Sequence, residues 1–199
     1  MKKFFAVSLS ALILTLSAAS VSLAGEWDNL PKKKQTALGL YMHPTEALKY
    51  VQENQGKVLF LDVRSREETQ FLGMSTLVDA NVPYMQNPEW PEWNDTGKNF
   101  KLVTNSNFAA DVERRMKEKG LAKTDPIILM CRSGDRSSLA VNLLAKLGFT
   151  KVYSVTEGYE GDIAADGPLK GTRSVNGWKN DGLPWSYELD KKKVYVSAS

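Results

Sequence analysis

Two short and almost wholly apolar runs, Val58-Leu59-Phe60-Leu61-Asp62-Val63 and Pro126-Ile127-Ile128-Leu129-Met130, constrain this chain more than any other feature of it. Runs of this kind, without polar alternation, are the mark of strands buried on both faces in the middle of a parallel sheet. Each is followed by a helical pattern. Ser65 to Glu68 fits a capping box, with Ser65 as N-cap and Glu68 reaching back, and opens a short helix to about Leu72. Arg136 to Leu147 reads as an amphipathic helix with Leu139, Leu143, Leu144 and Leu147 on its apolar face, stopped by Gly148. Lys151 to Val155 is a further strand, Ala80 to Pro83 a brief extended segment, and helices are expected from Pro44 to near Gly56 and from Phe108 to Lys119. Strands and helices alternate, so the fold class is α/β, a parallel sheet with helices on both faces. Tyr84 to Asn107 reads as irregular, and the Gly-rich stretch beyond Gly161, up to Trp185, as a C-terminal wrap.

The N-terminus points to export. Met1-Lys2-Lys3 is a basic start, Phe4 to Leu16 is apolar or small, and Ser22-Leu23-Ala24 offers small residues where a signal peptidase cuts. The apolar run is short for a membrane span. Residues 1–24 are therefore expected to be a cleavable signal peptide, the destination the periplasm, and stable membrane insertion after cleavage is not expected. Residues 25–40 then form a polar arm, 41–185 the folded domain, with insertions near 84–107 and 162–176, and 186–199 a tail. The net charge of +3 includes Lys2 and Lys3, and nothing in the remainder argues for nucleic acid. The runs Lys32-Lys33-Lys34 and Lys191-Lys192-Lys193 read as solvated ends.

The chain has one cysteine, so no internal disulfide can form. Cys131 stands at the tip of the second buried strand and is followed by Arg132-Ser133-Gly134-Asp135-Arg136-Ser137, which lead into a helix. Ligands of open α/β sheets bind just outside the carboxyl ends of the strands. A tight loop there turns backbone N–H groups inward, and the helix adds the positive end of its dipole. A sulfur in that nest is favoured as the thiolate, the nucleophilic form. Gly134 permits the turn, Ser133 and Ser137 offer hydroxyl donors, and Arg132 and Arg136 bring charge suited to an oxyanion.

Cys131 to Ser137 resembles the active-site loop of rhodanese-like sulfurtransferases. Asp62-Val63-Arg64 with Glu67 resembles that family's upstream Asp-Val-Arg motif, and Ala80-Asn81-Val82-Pro83 the segment that follows it. Gly158-Tyr159-Glu160-Gly161 resembles its glycine-rich turn, and Gly177-Trp178 with Gly182-Leu183-Pro184 its closing segment. The resemblance implies a five-stranded parallel sheet with helices on both sides and transfer of a sulfane sulfur through a Cys131 persulfide. Arg132, Ser133, Gly134, Asp135 and Arg136 would form its cradle, with Ser137 beginning the helix. Asp62, Arg64, Glu67 and Gly158 are expected to be structural supports. No metal or other cofactor is implied. The expected partners are small sulfur donors such as thiosulfate and thiophilic acceptors, cyanide or a thiol; a carrier that delivers sulfur to a protein acceptor, or binds one with little turnover, is the alternative.

The fold is shared with cell-cycle dual-specificity phosphatases, whose loop carries Arg at the position held here by Ser137. The shorter loop suits one bound sulfur better than a phosphoryl group. Leu77-Val78-Asp79 replaces the family's usual His-Ile, and the two insertions bear on substrate choice. His43 is expected to be structural, Trp90 and Trp93 to pin their loop to the body, and Tyr159 to edge the pocket.

Overall fold

The computed structural model describes residues 27–196, so the expected signal peptide lies outside the described residues. A 3-10 turn at Lys32–Lys34 leads to β1 (Tyr41–Met42), α1 (Pro44–Glu53), β2 (Leu59–Asp62), α2 (Arg66–Leu72), β3 (Met74–Ser75) and β4 (Ala80–Asn81). Four two-residue strands follow: β5 (Met85–Gln86), β6 (Trp93–Asn94), β7 (Asn99–Phe100) and β8 (Val103–Thr104). The chain then runs through α3 (Phe108–Glu118), β9 (Ile127–Met130), α4 (Asp135–Lys146), β10 (Val152–Val155) and β11 (Trp185–Ser186).

The five strands β1-β10-β9-β2-β4 make one parallel sheet, with the two apolar runs side by side at its centre. Leu59 faces Ile127 and Asp62 faces Met130, so Asp62 and Cys131 emerge together at the carboxyl edge. Successive strand residues point to opposite faces. Leu59, Leu61, Val63, Ile127, Leu129 and Cys131 pack with Phe108, Val112, Val141 and Leu144 from α3 and α4. Phe60, Ile128 and Met130 pack on the other face with Ala47 and Val51 of α1 and with Trp178. The Trp178 ring lies 5.4 Å from that of Phe60 and is fully buried, which fixes the closing segment to the sheet.

Several expectations change here. The buried face of α4 is Ser137, Ala140, Val141 and Leu144, while Leu139 and Leu147 are exposed. Ser137 and Ser138 can be buried because their hydroxyls bond backbone carbonyls, and this turns Leu139 outward. The 84–107 stretch is not irregular: β5 pairs antiparallel with β8, and β6 with β7. Trp90 is exposed and Trp93 packs edge-on against Phe100 across this arm, so Trp93 joins the two sides of the hairpin and Trp90 faces solvent.

The Lys32–Lys34 turn packs on α4: Lys32 and Lys33 are exposed as expected, Lys33 pairing with Asp135, but Lys34 is buried against Asp162. The C-terminal stretch also docks: Lys193 bonds the backbone of Asn81 and Thr76, and the Tyr195 hydroxyl donates to Asp111. His43, as expected, is structural, capping α1 with its Nδ1 2.8 Å from Glu157.

The capping box of α2 is present, Ser65 accepting from the Glu68 N–H and the Glu68 carboxylate from the Ser65 N–H. Ser65→Ala should cost about 1 kcal/mol. Thermal denaturation should show this as a fall in Tm of roughly 2–4 °C.

Candidate active site

Cys131 lies at the floor of a cavity of about 840 Å³, between the end of β9 and the head of α4. Its side chain is fully buried. The Gly134 N–H donates to Sγ at 3.1 Å, and the thiol reaches the Ser137 Oγ at 3.5 Å. Ser137 in turn donates to the Gly134 carbonyl at 3.0 Å and meets the Ser154 hydroxyl at 2.8 Å. Gly134 caps α4 with φ +93°, and a Cβ there would collide with the Thr156 carbonyl, so only glycine lets the loop close this tightly.

A second glycine holds the loop from behind. Tyr159 and Glu160 donate their N–H groups to the carbonyls of Cys131 and Arg132 at 2.8 and 2.9 Å. A Cβ on Gly158 (φ +64°) would sit 2.6 Å from the Cys131 carbonyl oxygen and 2.6 Å from the Ser133 nitrogen. Trp178 and Lys179 bond the carbonyls of Gly158 and Tyr159, so the closing segment braces the turn that braces the loop.

The rhodanese-like domain matches residues 44–165, a span that holds the loop and the 158–161 turn that braces it. The chain belongs to the rhodanese-like family. It is 28% identical over 127 residues to an uncharacterized protein of Rickettsia conorii, covering 64% of this chain and 81% of that one. The crystal structure of Rv0390 from M. tuberculosis superposes with a TM-score of 0.56 at 28% identity, covering 74% of this chain and 96% of that one. A polysulfide-sulfur transferase homodimer from Wolinella succinogenes aligns at 21% identity with a TM-score of 0.42, over 74% and 77% of the two chains.

Within this rhodanese-like site the loop arginines do not present free charge. Arg136 forms a two-pronged pair with Glu68, both contacts at 2.6 Å, and Arg132 pairs with Glu160 at 2.8 Å. Arg136 thus ties the head of α4 to the head of α2. Glu68 is the carboxylate that meets Arg136, while Glu67 accepts from Asn87 on the wall of the same cavity. Tyr159 is fully buried under the Arg64 guanidinium, 3.7 Å from it, and is not at the pocket edge. Asp62 and Arg64 form a buried pair at 2.6 Å, and Arg64 also donates to the Gly73 carbonyl. Ser133 and Asp135 line the cavity.

Both insertions expected to bear on substrate choice reach the pocket, through residues the sequence did not single out. The β5–β8 arm supplies a wall of Met85, Asn94, Asn99, Phe100 and Leu102, and Arg173 comes from the 162–176 insertion. Neither has a local motif; both reach the pocket only through tertiary folding.

Burial alone would raise the Glu68 pKa, but the hydrogen bonds and charge of Arg136 hold it below the ordinary carboxylate value. The pair therefore stabilises fully above the unfolded value, about 4.3, and this is lost as pH falls through the lower folded value. Glu68→Gln should cost about 2 kcal/mol at neutral pH, less than breaking a fully buried pair. Urea unfolding at pH 7 should separate variant from wild type, and in strong acid the two should converge.

Proposed function

We propose that this protein is an exported sulfurtransferase in which Cys131 carries a sulfane sulfur as a persulfide. The observation that carries this reading is the Cys131 sulfur held at the head of α4 by the Gly134 N–H, in a loop whose arginines are both committed to carboxylates. A helix head and an inward N–H are placed to hold the anionic terminal sulfur of a persulfide. A phosphatase would need a free loop guanidinium for the phosphoryl oxygens, and Arg136 is held by Glu68.

The reaction is a double displacement. The Cys131 thiolate attacks the outer sulfur of thiosulfate; a new S–S bond forms, the donor's S–S bond breaks, and sulfite leaves with the electron pair. A cyanide or thiolate acceptor then attacks the terminal sulfur, and the Cys131–sulfur bond breaks to return the thiolate. A carrier that delivers only to a protein acceptor is the second reading, favoured by the exposed Trp90, Phe71 and Phe100 on the arm and on α2. Export rests on the N-terminal leader pattern.

Intact mass after incubation with thiosulfate tests the proposal. One added sulfur (about 32 Da) on wild type, absent from Cys131→Ser and removed by cyanide, is the outcome expected of a thiol nucleophile. A free Cys131 that gains no sulfur from thiosulfate would sink the thiosulfate assignment. A loaded protein inert to cyanide and small thiols yet discharged by a protein would establish the carrier.

A further inference from the structure

Four cationic side chains line the cavity above Cys131: Lys101, Arg132, Arg136 and Arg173. Three are neutralised, by Glu92, Glu160 and Glu68 respectively. Arg173 has no carboxylate within ion-pair distance among the described residues. Its Nη1 donates to the Gly161 carbonyl at 2.5 Å, which anchors the side chain, while its Nε is buried with no hydrogen-bond partner. Burial, and next the Arg132 guanidinium, push its pKa down, so an anion placed there would relieve both costs. The nearby acids are already engaged: Asp162 by Lys34, Asp135 by Lys33 and Glu160 by Arg132.

The cavity is also large for its supposed cargo. At about 840 Å³ it lies in the range that houses organic ligands, and thiosulfate or cyanide would fill a small corner of it. Its walls are mixed, with Phe71, Phe100 and Leu102 beside the amides of Asn87, Asn94 and Asn99, which is the lining of a site for a polar organic molecule.

We propose that Arg173 is the recognition residue for a carboxylate on the sulfur acceptor, and that this acceptor is an organic thiol bearing carboxylates rather than a bare inorganic anion. This rests on the sulfur-transfer reading. The acceptor thiolate attacks the terminal sulfur of the Cys131 persulfide, an S–S bond forms on the acceptor, and the electron pair of the broken bond returns to Cys131. The carboxylate against Arg173 orients that attack.

The test uses persulfide-loaded wild type and Arg173→Gln, discharged by glutathione or by glutathione diethyl ester, which carries the same thiol with its carboxylates masked. Wild type should favour glutathione by about tenfold in kcat/KM, chiefly through KM, as expected for one charge-assisted contact. Arg173→Gln should bring glutathione down to the level of the ester. Equal losses for both thiols would mean that Arg173 only supports the insertion, and an unchanged preference would overturn the assignment.

Calorimetry with S-methylglutathione on the unloaded protein decides the subsite even if no persulfide forms. Binding about tenfold tighter to wild type than to Arg173→Gln supports it, and equal binding refutes it. Loss of thiosulfate binding alone in the variant would assign Arg173 to the donor's sulfonate instead and overturn the carboxylate proposal. Absence of any persulfide would count against the sulfur-transfer reading, separately from this result.

Discussion

Asp62→Asn is expected to lower the stability of this protein by about 3–5 kcal/mol, the range seen when one partner of a fully buried ion pair is removed. The magnitude follows from the burial of both groups: Asp62 and Arg64 are each 0% exposed. Arg64 gives two hydrogen bonds from Nε and one from Nη2 to the Asp62 carboxylate, at 3.0, 3.1 and 2.6 Å. Asparagine keeps the shape but removes the charge, and it turns an amide N–H₂ toward the guanidinium. What remains for Arg64 is the Gly73 carbonyl and the face of Tyr159, which together do not replace a carboxylate.

A domain of this kind holds about 5–15 kcal/mol in all, so the variant should unfold at markedly lower urea concentration. Its Tm should fall by roughly 10 °C. The double variant Asp62→Leu with Arg64→Met separates two explanations. If the cost comes from the orphaned charge, the double variant should be more stable than Asp62→Asn, because no ion then remains buried. If it is less stable, the pair contributes net stability in this site.

The sequence exposed the parts of this fold whose signals are local. The runs at 58–63 and 126–130 became the central strands because nothing polar interrupts their burial, and the Ser65–Glu68 box became the head of α2 because capping needs only four neighbouring residues. The Cys131 loop was legible for the same reason. What stayed hidden depended on distant partners. Leu139 looked like core because a helical wheel cannot know that Ser137 and Ser138 find buried carbonyls. Glu67 stands within the motif, whereas Glu68 meets Arg136 across 68 residues of chain, a contact no local pattern announces. Lys34 read as solvated because Asp162 lies 128 residues away. The β5–β8 arm lacks the Asn-Gly or Asp-Gly turn that announces a hairpin, and its strands are two residues each.

Gly158→Ala is expected to reduce persulfide formation at Cys131 by about 100-fold, the scale on which a misplacement of about 1 Å is felt in a positioned reaction. The added methyl has nowhere to go. The atoms it meets are backbone: the Cys131 oxygen, the Ser133 nitrogen and the Arg132 carbonyl carbon at 2.6, 2.6 and 2.7 Å, none of which can swing aside as a side-chain tip would. Relief requires either the 158–161 turn or the 131–134 loop to retreat. The turn is fixed from behind, since Trp178 and Lys179 bond it and Trp178 is locked in the core, so the loop is the part that moves. Moving it shifts the Gly134 N–H that holds the sulfur. The left-handed backbone at 158 adds a strain of about 1–2 kcal/mol in any L-residue, so Tm should fall as well. The two effects separate by temperature: at 10 °C, where circular dichroism shows the variant folded, the rate of mass gain from thiosulfate should still lag wild type by the same factor. A folded variant that acquires sulfur at the wild-type rate would show that the sulfur's position does not depend on this brace.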